Sequence, residues 1–308
     1  IRHSQRRRED GGMMDIVINA ASMTPIYEQI VDRITALVGV NGSGKTTTFR
    51  IILGLAEPDT GSGTLLGADV TRLPNAVKRR VGSALAEASF DAVFTGGDII
   101  KQQAVFYPAF DATLCRGLLE RFGLPTDKPM GDFSTGMAAK FRTIVAMAHR
   151  PEVLILDEPT AGLDVVARGE LLDLLRAYME TPGHSILISS HNAKDIESLC
   201  DDFYLIDRGR IRLHETIDRL RDDYATLILT DAQAASLDRS HILANVRMHG
   251  AVHALTDERR YYEENMPGVQ IARGDIDGLI AVMTMAGESE HAPTAQKIDE
   301  ATRERSLS

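Results

Sequence analysis

The stretch GVNGSGKT, residues 39–46, constrains the fold of this chain more than any other feature of its sequence. It follows the apolar run ITALVG at 34–39, which is typical of a buried parallel strand, and it precedes KTTTFRIILGL, which indicates a helix ending near Gly54. A G-x-x-x-x-G-K-[ST] pattern between a strand and a helix predicts a phosphate-binding loop. Average residue usage gives such a match by chance in only about 1% of chains of 308 residues.

The residue types in this loop suit the binding of phosphate groups. Glycines leave room for backbone N–H groups around phosphate oxygens, and the following helix directs the positive end of its dipole at the same charge. We expect Lys45 to reach the β- and γ-phosphates of a nucleotide and the Thr46 hydroxyl to bind Mg²⁺. The predicted nucleotide-binding residues are Gly39, Val40, Asn41, Gly42, Ser43, Gly44, Lys45, Thr46 and Thr47.

A second apolar run, VLIL at 153–156, is followed by the acidic pair Asp157 and Glu158. Neighbouring strand residues point in opposite directions, so the two carboxylates can serve different purposes. A DE pair before proline is, taken alone, most often a solvated strand end. This pair ends a strand of the sheet that carries the phosphate-binding loop. We therefore expect Asp157 to hold Mg²⁺ and Glu158 to polarise an attacking water as a general base.

Strands and helices alternate along much of the chain, which predicts an α/β fold with a mostly parallel sheet. Apolar residues at helical spacing indicate an inserted helical subdomain at about 86–150, and SILISS at 185–190 indicates a further strand. DDFYLIDRGRIRL predicts a closing strand pair with a turn at Arg208-Gly209. The stretch 216–286 predicts a small C-terminal α+β appendage, and the polar residues 287–308 predict a disordered tail.

Four motifs, in their order and spacing, resemble those of the ATP-binding cassette (ABC) family. They are GVNGSGKTT, FSTGM, LILDEPTAGLD and ISSH, and the resemblance covers about residues 14–215. The surrounding residues are most similar to those of the bacterial YtrB/EcsA-like transporter ATPases. The resemblance implies a P-loop NTPase core with an antiparallel β part over 13–215, an accessory region over 216–286, and ATP with Mg²⁺ as cofactors. We expect residues 1–12 to be a disordered or non-native leader.

The resemblance also gives a role to FSTGM, residues 133–137, which has no obvious one alone. In this family the Ser-x-Gly turn closes over the γ-phosphate held by a second subunit. Two cassettes would therefore pack head to tail, as a homodimer or a heterodimer, with two ATP molecules between them. Ser134 would supply a hydroxyl and Gly136 room for backbone N–H groups, ahead of a helix over 138–149. Ser134 also suits a plain helix N-cap, and both roles can hold together.

Two further positions have roles implied by the resemblance. Asp164 would belong to the loop that signals across the dimer. His191, which lies 33 residues after Glu158, would contact the γ-phosphate and orient the attacking water. The sequence departs from the usual family pattern at Thr135, where many members have Gly, and at Val165, where Pro is usual.

Two functional positions of the family correspond only loosely to residues of this chain. Glu87, in VGSALAEASF, is the nearest candidate for the glutamine that couples nucleotide to the membrane partner, and its carboxylate would reach Mg²⁺. Tyr27 is the one aromatic residue upstream of residue 34, and it lies only 18 residues before Lys45. That short distance predicts weak adenine stacking or tolerance of GTP.

The resemblance implies an ATP-hydrolysing subunit that powers a separate integral membrane permease, with export as the expected direction. The chain would dock through the region 86–130 and lie in the cytoplasm at the inner face of the cell membrane. One alternative is a soluble cassette ATPase acting on DNA or ribosomes, and another is a cassette that binds nucleotide without turnover. The net charge of −10 disfavours a nucleic-acid partner, and two cysteines far apart in sequence suit a reducing cytosol.

Overall fold

A computed structural model describes residues 32–59 and 63–286. The leader 1–12, Tyr27 and the tail 287–308 lie outside the described residues. The strands are β1 (Ile34–Val38), β2 (Thr64–Leu65), β3 (Ala68–Asp69), β4 (Val81–Ala84), β5 (Val153–Asp157), β6 (Ser185–Ser189), β7 (Asp202–Asp207), β8 (Arg210–Thr216), β9 (Ala225–Leu229), β10 (Ile242–Met248), β11 (Ala251–Thr256) and β12 (Gln270–Arg273). The α-helices are α1 (Lys45–Ile52), α2 (Asn75–Lys78), α3 (Gly96–Phe106), α4 (Ala112–Arg121), α5 (Thr135–Met147), α6 (Val165–Met179), α7 (Ala193–Leu199), α8 (Ile217–Asp222), α9 (Asp231–Ala235), α10 (Arg259–Asn265) and α11 (Ile276–Ala286).

A six-stranded sheet in the order β4-β5-β6-β1-β7-β8 lies at the centre of the molecule. Its first five strands are parallel, and β8 pairs antiparallel with β7, which confirms both the predicted α/β class and the closing strand pair. Because parallel strands all run the same way, the carboxyl ends of β1, β5 and β6 meet at one edge of the sheet. That edge carries the glycine-rich loop, the acidic pair and the segment that follows β6.

Both faces of this sheet are covered, because alternate residues of each strand enter different hydrophobic clusters. Ala36 and Val38 belong to one cluster, which also contains buried residues of α5, α6 and α7. Leu37 belongs to the other cluster, together with Phe49 of α1. Burial on both faces explains why these strands are nearly continuous apolar runs.

The predicted helical region contains α3, α4 and α5. Phe141 and Ile144, which lie three residues apart on one face of α5, are fully buried, and α5 packs against β4 and β5. This helix begins at Thr135 rather than at residue 138, because the Ser134 hydroxyl accepts a hydrogen bond from a backbone N–H in its first turn. The boundaries of a helical subdomain at about 86–150 stay a prediction.

The residues after β8 form a second, four-stranded antiparallel sheet in the order β10-β11-β9-β12. Helix α11 packs against β10 and β11 and also against α7, where the Ile276 N–H donates to the Glu197 carboxylate over 2.9 Å. Leu220 and Leu279 belong to the same hydrophobic cluster as Ala36 of the central sheet. The predicted α+β appendage is therefore present and shares a core with the rest, and its boundary at residue 216 stays a prediction.

Candidate functional site

The loop between β1 and α1 is a compact turn held against the closing strand pair. At Gly39 an added Cβ would lie 2.2 Å from the Ile206 carbonyl oxygen and 2.7 Å from Ser43 Oγ, so only glycine fits. The Ser43 N–H donates to the Val40 carbonyl over 3.1 Å, and the Gly209 N–H of the β7–β8 turn donates to the Ser43 carbonyl over 2.8 Å. A loop of this shape at a helix N-terminus can surround an anion with backbone N–H groups.

Lys45 begins α1 and extends its side chain back over this loop. Its Nζ donates to the Gly39 carbonyl over 2.8 Å and to the Val40 carbonyl over 3.1 Å. Burial lowers the pKa of Lys45, and the negative charges of Glu158 and Asp157 act in the opposite direction. A phosphate oxygen would offer the ammonium a charged acceptor in place of these neutral carbonyls, which makes a stronger hydrogen bond.

Thr46 and Asp157 meet where the loop lies beside the end of β5. Thr46 Oγ1 donates to Asp157 Oδ2 over 2.8 Å, and Ser189 Oγ at the end of β6 donates to Asp157 Oδ1 over 2.5 Å. Mg²⁺ takes oxygen ligands and completes its octahedron with waters and phosphate oxygens, so one hydroxyl and one buried carboxylate fit it. Over residues 32–59 and 63–286 no group of three or more His, Cys, Asp or Glu side chains could hold a metal. The donor set suits a cation that arrives with phosphates.

Glu158 and His191 face each other beside this pair. His191 Nδ1 lies 2.6 Å from Glu158 Oε2, and the His191 backbone N–H donates to the same oxygen over 3.1 Å. The Glu158 side chain is largely buried, whereas the imidazole is mostly exposed. A carboxylate with a histidine at hydrogen-bond distance can accept a proton from a water and orient it.

The backbone at Glu158 adopts an unusual conformation for a residue that is not glycine. Its φ is +52°, in the left-handed region. Its N–H donates to Ser189 at the end of the neighbouring strand, with distances of 3.1 Å to Oγ and 3.2 Å to the carbonyl oxygen. Such strain persists where surrounding contacts fix the backbone, and it turns the Glu158 side chain towards His191.

The Ser-x-Gly turn lies against the loop that follows Glu158. Ser134 is exposed and caps α5, with its Oγ accepting from the Met137 N–H over 3.2 Å. At Gly136 an added Cβ would lie 2.4 Å from the Gly162 carbonyl oxygen, so the two glycines permit a close approach of the two backbones. The sequence motif predicts that the Ser-x-Gly turn is part of the site, but it does not predict the contact between Gly136 and Gly162.

Asp164 is exposed on the same surface as the Ser-x-Gly turn and caps α6. Its Oδ1 accepts from the Val166 and Ala167 N–H groups, each over 2.9 Å. The hydrogen bond from Ala167 is the main reason that the pKa of Asp164 is lowered. Ser134 and Asp164 therefore form one exposed patch at two helix N-termini, whereas Gly136, in the first turn of α5, is buried against Gly162.

Glu87, which was predicted to reach Mg²⁺, forms an ion pair with Arg50 instead. Its carboxylate is 3.7 Å from the Arg50 guanidinium, and both side chains are well exposed to solvent. Arg50 is in the last turn of α1, whereas Thr46 is in the first turn. The structure does not bring Glu87 to the Thr46–Asp157 pair, and its role as a metal ligand stays a prediction.

Two residues near the acidic pair were missed from the sequence. Ser189 fixes the Asp157 carboxylate and the Glu158 backbone, and the available signal was a hydroxyl at the end of the strand that precedes His191. Arg142 of α5 is the second, because the Asp157 charge opposes the lowering of its pKa that burial causes. No sequence pattern pointed to Arg142, since it forms no motif with its helix neighbours Phe141 and Thr143.

Taken together, these residues can bind a polyphosphate with a divalent cation and activate a water against its terminal phosphate. The loop at 39–47 can supply backbone donors and Lys45, and Thr46 with Asp157 can supply oxygen ligands for a cation. Glu158 and His191 are adjacent to both. The three segments meet because each follows the carboxyl end of a parallel strand of one sheet.

Comparison with known proteins agrees with this arrangement. A family profile described as ABC transporter matches residues 31–161. The chain is 31% identical over 191 residues to the ABC transporter ATP-binding protein YtrB of Bacillus subtilis, a match over 62% of this chain and 65% of YtrB. It is 31% identical over 221 residues to the bacitracin transport ATP-binding protein BcrA of Bacillus licheniformis, over 68% of this chain and 72% of BcrA.

A solved structure has the same fold. It is described as the structure of an ATP-binding subunit of an ABC transporter, and it superimposes with a TM-score of 0.58 at 29% sequence identity. The superposition covers 63% of this chain and 82% of that chain. The resemblance inferred from the sequence motifs is therefore confirmed.

Proposed function

Because this chain belongs to the ABC transporter family, whose ATPase domain is an ATP-hydrolysing P-loop NTPase, we propose that it binds and hydrolyses ATP to drive a separate membrane permease. The observation that carries this proposal is the Glu158–His191 pair, 2.6 Å apart, beside the Thr46–Asp157 pair. A loop that only bound phosphate would not need a general base with a histidine partner at this position. The two pairs together support turnover.

The proposed nucleotide site uses the loop at 39–47 for the phosphates. Lys45 would leave the Gly39 and Val40 carbonyls for the β- and γ-phosphates. Thr46 and Asp157 would hold Mg²⁺, which would neutralise charge that develops on the phosphates. The Thr46 hydroxyl and the Asp157 carboxylate already lie 2.8 Å apart, so a small cation could replace their hydrogen bond with little movement of the backbone.

Glu158 is the proposed general base, and His191 the residue that orients the water and contacts the γ-phosphate. Glu158 Oε2 already accepts the His191 backbone N–H, so the carboxylate is held on one side while its other oxygen can face a water. His191 is mostly exposed, as a residue that contacts a ligand from solvent must be.

A second copy, or a related cassette, would complete the site. Ser134 and Asp164 form an exposed patch whose hydrogen bonds are those of helix caps, which suits contact with a γ-phosphate from outside the chain. Gly136, which the resemblance places at the same contact, is buried in the first turn of α5. Val165 and Val166 beside this patch are large apolar side chains that are about three-quarters exposed. Exposed apolar residues next to donors indicate a surface that a partner covers. We therefore propose a head-to-tail dimer.

The permease would bind the helical region. Among the described helices none is long and apolar enough to cross a bilayer, so a transporter would need a further membrane-spanning chain or segment. Val105 and Phe106, in the last turn of α3, are exposed, as are Val93 and Phe94 just before that helix. These apolar side chains support docking through 86–130, which would hold the chain at the inner face of the membrane. Export stays the proposed direction on the resemblance alone.

Co-purification tests the permease proposal. The tagged chain is extracted from native membranes in mild detergent, and the proteins retained are identified by mass spectrometry. We expect an integral membrane protein, and Phe106→Ser should reduce its recovery several-fold because Phe106 is 59% exposed on α3. The matched control is Met285→Ser, which removes a 41% exposed apolar side chain from α11 and should change nothing. Recovery of ribosomes or DNA instead of a membrane protein would contradict the transport role.

A further inference from the structure

Asp195, in the first turn of α7, is a buried carboxylate with no part in the site described above. It is only 4% exposed. Thr160 Oγ1 donates to its Oδ2 over 2.8 Å, and Arg168 Nε lies 3.5 Å from its Oδ1. Each carboxylate oxygen thus has its own partner, from a different segment of the chain. Burying a charge is costly unless it is paired in this way.

The partners of Asp195 come from the segments that carry the proposed catalytic and dimer residues. Thr160 lies two residues after Glu158, and its backbone accepts from the Leu163 N–H over 3.2 Å within the same turn. Arg168 lies four residues after Asp164, in the first turn of α6. One carboxylate therefore contacts both the loop that follows the proposed general base and the helix that begins after Asp164.

Asp195 itself follows His191 by four residues. The intervening turn is fixed, because the Asn192 side chain caps α7 and the Asp195 N–H donates to the Asn192 carbonyl over 3.1 Å. Asp195 thus sets the distance between two segments. These are the β6–α7 turn, which carries His191, and the β5–α6 loop, which carries Glu158. The strained φ of Glu158 needs such support from neighbouring contacts.

We propose that Asp195 is a positioning residue that holds the Glu158 loop, the Asp164 helix and the His191 turn in one arrangement. The inference rests on the proposed function, because it concerns the geometry of ATP hydrolysis. Among the described residues, the hydrogen bonds and the ion pair of Asp195 go to Thr160, Arg168, Asn192 and Ser198, and none goes to the loop at 39–47. The loss of Asp195 should therefore lower kcat and leave nucleotide affinity unchanged. A misplacement of about 1 Å in a catalytic group can cost up to roughly 100-fold in rate.

The first test compares kcat and KM for ATP in matched variants. Asp195→Asn removes the charge that faces Arg168 and keeps the side-chain shape, and Thr160→Val removes the donor to Asp195 and keeps the volume. We expect each to lower kcat by roughly tenfold and to leave KM within about twofold. Thr160→Ser restores the hydroxyl and should recover most of the lost kcat.

The control for a merely structural effect is Asp202→Asn. Asp202 is also buried, with the Arg33 guanidinium 3.3 Å from its Oδ2, but it lies at the start of β7, at the opposite edge of the sheet. The Asp202→Asn variant should lose thermal stability, as the Asp195→Asn variant does, but its kcat per folded molecule should equal that of the wild type. Equal kcat values in wild type, Asp195→Asn and Thr160→Val would overturn the inference.

Amide hydrogen exchange gives a second readout that does not depend on turnover. Asp195→Asn should raise exchange in the peptide covering 157–164, because that loop loses a buried contact, and Asp202→Asn should not. A wild-type chain without ATPase activity would refute the proposed function, and the exchange result would still decide the role of Asp195. Unchanged exchange at 157–164 in Asp195→Asn would overturn that role.

Discussion

At the scale of single residues, the proposed nucleotide site depends on how Lys45, Thr46, Asp157 and Glu158 share one edge of the sheet. Lys45 is partly buried, and burial lowers its pKa while two carboxylates oppose the change. Its Nζ donates to two loop carbonyls, which hold the ammonium over the loop where we propose that phosphates bind. A side chain that is held in place loses less conformational entropy when it binds a ligand.

Lys45→Ala should weaken ATP binding by about 30-fold or more, equivalent to about 2 kcal/mol, because a phosphate would lose its charged donor. The measurement is titration with a fluorescent ATP analogue, with thermal unfolding to show that the variant folds. Lys101→Ala is the control, since Lys101 is exposed on α3 and pairs with Asp98 of the same helix. An unchanged affinity for ATP in the Lys45→Ala variant would contradict the proposed role of Lys45 in phosphate binding.

Local patterns in the sequence predicted most residues of the site, because each lies in a short motif whose spacing the backbone dictates. The Thr46–Asp157 and Glu158–His191 pairs follow from motifs at the ends of parallel strands. Long-range contacts were harder to predict. Glu87 pairs with Arg50 rather than with Thr46 or Asp157, and no pattern in VGSALAEASF indicates that ion pair.

At the scale of elements, apolar periodicity predicted the helices and strands better than it predicted their ends. The resemblance predicts a helix over 138–149, whereas the Ser134 cap begins α5 at Thr135. Side-chain capping is a local hydrogen bond that periodicity does not contain. The contact between Gly136 and Gly162 is a second example, because it joins two loops that are close only once the sheet has formed.

Substitutions in helix α11 test whether the C-terminal region unfolds together with the central sheet. Leu279→Ala should lower the free energy of unfolding by about 2–5 kcal/mol, because Leu279 is 1% exposed in the core that also contains Ala36. Met285→Ala on the same helix should stay within about 0.5 kcal/mol, since Met285 is partly exposed. Urea unfolding followed by circular dichroism measures both. A separate early transition in Leu279→Ala, with the main midpoint unchanged, would show an independent domain.

At the scale of the whole molecule, the proposed dimer requires one chain to take part in two nucleotide sites. The loop at 39–47 and the Glu158–His191 pair would hold one ATP, and the patch of Ser134 and Asp164 would close over the ATP of another copy. The exposed Val165 and Val166 beside that patch support a covered interface. Closure driven by ATP and reopening after hydrolysis would move the helical region, and with it the bound permease.

The most direct test is the rate of phosphate release at saturating ATP by the wild type and by Glu158→Gln. The amide keeps the size of Glu158 and cannot accept a proton from water, so the variant should release phosphate at less than about 1% of the wild-type rate. It should keep its affinity for ATP and accumulate as an ATP-bound dimer. Comparable rates in the two proteins would contradict the assignment of Glu158 as the general base.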